Sequence, residues 1–213
     1  MRLLSADLLV KTSPLDKAEW NFHPLLGLIQ RRRFRLAASL LAGLHVGRLL
    51  EIGYGSGVFM PELAQYCDEL FGSDIHQNAG PVTQSLARAA VTARLVPADA
   101  VHLPFRDASI DCIVSVSSLE YVEDFDTACM EMKRVLRPDG CLVVITPGHS
   151  PVVDLGLRIL TGTQAQNEYG ARRHRMVPTL LRHFQLSQQA TVPSFSDSLV
   201  CLYRGLRLRV NPR

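Results

Sequence analysis

The sequence is poor in lysine, in paired cysteines and in long apolar runs. Of its 23 basic residues only Lys11, Lys17 and Lys133 are lysine, the rest being arginine. Against 20 acidic residues this leaves a formal net charge of +3, too small to announce a nucleic-acid partner through bulk electrostatics. The five cysteines, Cys67, Cys112, Cys129, Cys141 and Cys201, form no CxxC pair and no cysteine–histidine cluster with zinc-ligand spacing. A zinc finger or ribbon is thereby excluded. An odd count without a framework points to a reducing compartment, and Cys112 and Cys141, lying in apolar runs, read as core thiols. No apolar run approaches the roughly 20 residues of a membrane span. The short apolar start is broken by Asp7, with no small-residue cleavage site after it. A cytoplasmic location is the expectation. Repeats and low-complexity tracts are also missing.

What is present suits one globular domain: 213 residues, 47% hydrophobic and 20% charged. Strand-like apolar runs fall at Arg48–Ile52, Glu69–Ser73, Ala93–Pro97, Ile110–Ser115 and Cys141–Thr146. Helix-like stretches lie between them at Pro61–Cys67, Pro81–Ala90 and Asp126–Leu136, and Pro138-Asp139-Gly140 supplies a turn before the last strand. Near-continuous apolar strands alternating with helices predict a mainly parallel sheet covered on both faces. Ligands of such sheets sit outside the carboxyl ends of the strands. Further on, a helix at Pro178–Phe184 and strands at Gln185–Val192 and Ser198–Leu208 predict an antiparallel hairpin closing the sheet edge.

The motif with most chemical content is Leu49-Leu50-Glu51-Ile52-Gly53-Tyr54-Gly55-Ser56-Gly57, a buried strand ending in a glycine-rich turn that feeds a helix. Glycines allow the backbone to turn tightly and a ligand to approach with no Cβ in its path. A dinucleotide fingerprint needs a third small residue at the sixth position, where this chain has Val58. A phosphate-binding Gly-Lys-Ser/Thr loop is absent.

Glu51-x-Gly53-x-Gly55-x-Gly57 resembles the first motif of class I S-adenosylmethionine-dependent methyltransferases. Three further features follow in the same order. Asp74 ends the second strand about twenty residues beyond the loop, where an ionised acid accepts from ribose hydroxyls. Asp99, in Pro97-Ala98-Asp99-Ala100 before Leu103-Pro104-Phe105, resembles the residue that accepts from the adenine amino group; the alternative is a turn aspartate bonding its own backbone. The run from Ser109 through Ser117-Ser118-Leu119-Glu120-Tyr121-Val122 to Arg134-Val135-Leu136-Arg137-Pro138-Asp139-Gly140 resembles the small-molecule branch that includes ubiquinone- and menaquinone-pathway methyltransferases. The resemblance covers roughly half the chain. It implies an α/β, doubly wound, Rossmann-like fold with a cofactor-binding core at 46–147; it does not reach 1–45 or 148–213, where the residue pattern gives an N-terminal helical cap and a substrate-side insert with terminal hairpin within the same single domain. It implies S-adenosylmethionine as cofactor, held by Glu51, Gly53, Gly55, Gly57, Asp74, Ile75, Asp99, Ala100, Val116 and Ser117, and no metal.

Methyl transfer from a sulfonium needs alignment and exclusion of water, and a base only where the acceptor enters protonated. Glu120, Tyr121 and His149 stand at strand ends where such a base would act; Tyr169 and His174 are weaker candidates. The Asn/Asp-Pro-Pro-aromatic sequence of amino-directed DNA methyltransferases is replaced here by Ser115-Val116-Ser117-Ser118, and no Pro-Cys dipeptide supplies a cytosine-attacking thiolate. A small-molecule or lipid-like acceptor is expected, with no nucleic acid. The rivals are an aminopropyltransferase-like relative, a non-catalytic binder of the same cofactor and, more remotely, a dinucleotide-dependent oxidoreductase.

Ahead of the first strand, Leu25, Leu28, Ile29, Leu36, Leu40 and Leu44 give an apolar stripe at helical spacing beside Gln30-Arg31-Arg32-Arg33-Phe34-Arg35. One expectation is that the leucines pack on the sheet while the arginines stay solvated. The other is that this segment roofs the site, with Trp20, Phe22 and His23 on the substrate side, and touches an anionic membrane surface.

Overall fold

A computed structural model describes residues 1–14, 16–148, 170–193 and 201–210. Two short 3-10 turns at Ala6–Leu8 and Ala18–Phe22 precede helix α1 (Leu26–Leu41) and strand β1 (Val46–Ile52). Then follow α2 (Met60–Leu63), β2 (Cys67–Asp74), α3 (Ala79–Arg88), β3 (Arg94–Pro97) and β4 (Ile110–Val116). A 3-10 turn (Leu119–Tyr121), α4 (Phe125–Val135), β5 (Leu136–Pro147), α5 (Gly170–His183), β6 (Phe184–Val192) and β7 (Tyr203–Val210) complete the order. The sheet runs β3-β2-β1-β4-β5-β7-β6. The first five strands are parallel, and β7 pairs antiparallel with both β5 and β6. The doubly wound sheet with its C-terminal antiparallel pair is therefore the expected one. Strand order reverses at β1, which has β2 on one side and β4 on the other, so the crevice for a ligand opens at the end of β1.

Both faces of the sheet are apolar because alternate residues of each strand serve opposite layers. Leu49, Val114, Val143 and Ile145 face α1, α2 and α3 with Leu40, Met60 and Leu86. Leu50, Ile113, Leu142 and Val144 face α4 and α5 with Met132, Val135, Met176 and Leu180. All five cysteines are buried free thiols, and Cys112 and Cys141 meet across β4 and β5 with sulfurs 3.4 Å apart.

Several local expectations are corrected. The helix expected at Pro61–Cys67 is a single turn ending at Leu63, because Cys67 already pairs with Val46 in the sheet and Tyr66 accepts from the Val46 N–H. Pro138-Asp139-Gly140 lies inside β5 rather than before it. Ile110 pairs with Leu136 and Cys112 with Cys141, so the surplus residues bulge out of the ladder. The helix expected from Pro178 begins at Gly170 and keeps Pro178 in its interior, while Phe184 opens β6. The last strand starts at Tyr203, and 198–200 lie outside the described residues. In α1 the buried residues are Gly27, Phe34, Leu36, Ala37, Leu40 and Leu41. Leu25 and Leu28, expected in the buried stripe, are 71% and 55% exposed because they lie on the opposite side of the helix.

Candidate active site

The carboxyl ends of β1, β2 and β4 open into a cavity of about 920 Å³. Its floor is the glycine loop. Gly53 adopts φ +77°, a left-handed conformation suited to glycine, and a Cβ there would run into the Ser118 side chain. Ser118 itself ties two strand ends together, its Oγ donating to the Ile52 carbonyl at 2.8 Å and lying 2.6 Å from Ser115 Oγ.

The acid at the end of β2 is built into this loop. Asp74 Oδ2 accepts from the Gly55 N–H at 2.8 Å. His76 secures the same residue from the other side. Its Nδ1 accepts from the Asn78 N–H at 3.1 Å, so the ring proton sits on Nε2 and donates to the Gly55 carbonyl at 3.0 Å. Both backbone groups of Gly55 are thus held by the end of β2 and the residues just after it, which fixes the loop.

The N-terminal segment covers the loop. Asp16 Oδ2 accepts from Thr12 Oγ1 at 2.9 Å and Oδ1 from the Ala18 N–H at 3.1 Å, which folds the strap on itself. Asn78 Nδ2 donates to the Thr12 carbonyl at 3.3 Å, tying strap to floor. Behind it Phe34 of α1 stacks on Phe59 with ring centroids 4.6 Å apart, and Arg33 enters the cavity wall.

Four buried polar atoms around this space have no hydrogen-bond partner among the described residues: Glu51 Oε2, Tyr54 OH, Ser56 Oγ and Ser117 Oγ. Arg33 Nε is a fifth. Buried polar groups are nearly always satisfied, so such a group of orphans lining one cavity fits a ligand with several polar atoms of its own. Glu51 is 3% exposed, and burial pushes its carboxyl well above the usual range. The charge of Asp74 pushes the same way, and the Arg33 guanidinium opposes both.

This has a measurable consequence. Because the folded-state pKa of Glu51 lies above its unfolded value, the folded chain holds the extra proton. Its contribution to stability is present below the ordinary carboxylate range and is lost as pH rises through the raised value. Glu51→Gln is expected to raise the melting temperature of the free protein at neutral pH and flatten its pH dependence, while weakening binding of a cationic ligand group. A lower melting temperature at neutral pH would contradict this assignment.

Of the residues expected from sequence to hold a cofactor, Glu51, Gly53, Gly55, Asp74, Ile75, Asp99, Ala100, Val116 and Ser117 all line the cavity. Gly57 does not; a Cβ there would meet Val82 Cγ1 of α3 at 3.1 Å, so it serves helix packing beneath the loop. Asp99 lies at the cavity wall while its Oδ1 also accepts from the Val101 N–H at 3.1 Å. Glu120 and Tyr121 sit together on the 3-10 turn after β4, Glu120 buried at 3% exposure and Tyr121 at the rim at 41%. His149 and Tyr169 lie outside the described residues, as does the side chain of His174. No group of three or more His, Cys, Asp or Glu that could hold a metal occurs among the described residues. Of the segment expected to roof the site, Trp20 and Arg33 line the cavity, while Phe22 and His23, expected on the substrate side, do not. Sequence reasoning missed Asp16, Tyr54, His76 and Ser118. Of these only His76, two residues beyond Asp74, had a positional signal.

Residues 50–144 match the family model described as "Methyltransferase domain". Over 144 residues, 63% of this chain, the sequence is 35% identical to a malonyl-[acyl-carrier protein] O-methyltransferase of Methylococcus capsulatus. Over 114 residues, 52% of the chain, it is 36% identical to a demethylmenaquinone methyltransferase of Roseiflexus castenholzii. The chain covers 52% of the first protein and 48% of the second, about half the length of each. Among solved structures, the N-methyltransferase NodS from Bradyrhizobium japonicum in complex with S-adenosyl-L-homocysteine superposes with a TM-score of 0.67 at 20% identity. It covers 93% of this chain and 94% of that one. The likeness is one of fold.

Proposed function

Since the chain carries a methyltransferase domain in the fold of the S-adenosylmethionine-dependent enzymes, we propose that it transfers a methyl group from that cofactor to a small, lipid-like acceptor. The observation that carries this reading is the set of orphaned buried polar atoms around a glycine loop cross-tied to Asp74 and His76. Asp74 has a second oxygen for the ribose hydroxyls. Glu51 can accept from an ammonium, whose charge would favour loss of the carboxyl proton, and Arg33 provides the positive group for a carboxylate. Asp99 and Ala100 flank the base position, and Ile75, Val116 and Ser117 complete the wall. When bound, S-adenosylmethionine supplies a methyl group already activated by a sulfonium. The chain's own work is then to bind, orient and keep water out. Phe34, Trp20 and Ile29 close one side of the cavity with apolar surface, which suits a ring or acyl acceptor. The curated relatives, named for a malonyl thioester and for demethylmenaquinone, are compatible with such an acceptor.

If the acceptor enters as a hydroxyl or an acid, Glu120 or Tyr121 holds its proton. Methyl-labelled cofactor offered with a hydroxynaphthoquinol or a malonyl thioester should yield labelled product. Glu120→Gln or Tyr121→Phe should then cut turnover by about a hundredfold with little change in cofactor affinity. Wild-type turnover in both variants would remove the base role from these two residues. Tight S-adenosylhomocysteine binding with no labelled product from any acceptor would favour a non-catalytic binder.

A further inference from the structure

We propose that the outward face of α1, with the turn before it, docks on an anionic lipid bilayer beside the mouth of the cavity. Leu25, Leu28, Arg32, Arg35 and Ser39 are spaced three or four apart and all exposed, so they form one stripe along the helix. The stripe is graded. Its leading end is apolar, with Leu25 at 71% exposure, Leu28 at 55% and Phe22 at 38% just before the helix. Arg32 and Arg35 follow within one to two turns.

Beyond Glu19, at the start of the turn before α1, the charge of this region has one sign only. No acidic residue occurs between Glu19 and Glu51, a stretch that holds Arg31, Arg32, Arg33, Arg35 and Arg48. Helix α1 packs across β5, β7 and β6. Strands β6 and β7 carry no acid either, while β7 contributes Arg204, Arg207 and Arg209. Among the described residues neither Arg32 nor Arg35 enters an ion pair, whereas Arg48 pairs with Glu69, and Arg134, Arg137 and Arg182 pair with Asp107, Asp111 and Asp126. An ordinary solvated helix face mixes both charges and keeps leucines inward. Exposed leucines leading into unpaired arginines instead match a surface with anionic headgroups above acyl chains.

Position gives the surface a use. Trp20 and, on the next side of α1, Ile29, Gln30 and Arg33 line the cavity, as do the exposed rim residues Ile75 and Tyr121. A bilayer touching Phe22, Leu25 and Leu28 would meet the cavity's apolar side. In that respect the inference rests on the proposed function, because it lets a lipid-like acceptor reach the site without crossing water. The docking itself does not depend on methyl transfer. No helix of the described residues is long and apolar enough to cross a membrane, so the contact is a peripheral one.

The test is co-sedimentation of the full chain with vesicles of phosphatidylcholine alone and with phosphatidylglycerol added. Binding is expected only to the anionic vesicles and is expected to be reversed by salt. Arg32→Gln/Arg35→Gln and, separately, Leu25→Ser/Leu28→Ser should each lower the partition coefficient about tenfold or more. None of these four residues lines the cavity, so S-adenosylhomocysteine affinity should stay unchanged and reports that each variant is folded. A chain that binds S-adenosylhomocysteine but ignores anionic vesicles overturns the proposal, as does vesicle binding indifferent to both double variants. Salt-sensitive binding to an acidic carrier protein without vesicle binding would also overturn it. Vesicle binding that persists in a chain unable to bind S-adenosylhomocysteine would count against the proposed function and leave the docking surface standing.

Discussion

Asp74→Ala is expected to weaken S-adenosylhomocysteine binding by tenfold to about a hundredfold or more. The first part of that loss is the charge-assisted hydrogen bonding to ribose hydroxyls, worth roughly 1.5–3 kcal/mol. A second part comes from the loop. Asp74 Oδ2 accepts from the Gly55 N–H at 2.8 Å, so its removal leaves that donor unpartnered and frees the loop to move. Asp74→Asn separates the two, since its amide oxygen can still accept from Gly55 while the charge is gone; its affinity should fall between wild type and Asp74→Ala. Calorimetry decides the matter. A folded Asp74→Ala protein with wild-type affinity would remove Asp74 from the site.

Gly53→Ala is expected to cost stability as well as binding. The residue sits at φ +77°, where a Cβ is strained by roughly 1–2 kcal/mol, and that Cβ would collide with Ser118. Ser118 cannot retreat without releasing the Ile52 carbonyl and Ser115. Overpacking of this kind adds about 1–3 kcal/mol. Together these lower the melting temperature on the order of 5–15 °C for a chain of this size. Gly55→Ala is the informative partner. Its Cβ would lie 3.6 Å from Asp16 Oδ2, an ordinary contact, and its φ is +51°. That variant should stay close to wild type in stability, losing no more than about 1–2 kcal/mol, and lose cofactor affinity instead. A Gly53→Ala protein that melts with wild type would show a loop loose enough to absorb the added Cβ against Ser118.

The parallel core was legible because strands buried on both faces must be apolar throughout, and Leu49–Ile52, Ile110–Ser115 and Cys141–Thr146 are. Asp74 was legible for a related reason. A strand and a helix of ordinary length place an acid of the second strand beside the glycine loop, so spacing along the chain stands in for distance in space. The stretch from Arg134 to Gly140 resembled a family motif and turns out to hold the scaffold. Arg134 donates to the carbonyls of Leu103 and Phe105 at 3.0 and 2.9 Å and to Glu131 and Asp107. Those bonds hold the Glu131 carboxyl down at about 2, Arg134 being the largest cause. Arg137 pairs with Asp111, which also accepts from the Arg48 N–H. Both arginines therefore stitch the loop after β3 and the edge of β4 to neighbouring elements.

What stayed hidden depends on contacts between distant segments. The sequence left open whether the segment before β1 roofs the site or only packs on the sheet, and nothing near Asp16 or Arg33 singles out these two residues as the ones that reach residues 51–56. The helical spacing of leucines before β1 was real, yet it could not say which side met the sheet. Leu36 and Leu40 went inward, and Leu25 and Leu28 went out. In α2 and β5 the local pattern lost to pairing: Cys67 was drawn into the sheet beside Val46, and Pro138 was accommodated in a bulge.

S-adenosylmethionine is expected to bind at the carboxyl end of β1, on the loop held by Asp74 and His76 and under the N-terminal strap. Hydrogen–deuterium exchange of the unmodified chain, with and without saturating S-adenosylhomocysteine, tests it most directly because it reports both binding and place. Slower exchange is expected at Gly53–Ser56, at Asp74–His76 and across Ala18–Arg33, with β6 and residues 204–210 of β7 unchanged. Exchange unaltered at Gly53–Ser56 under saturating ligand, or protection confined to other elements, would contradict it.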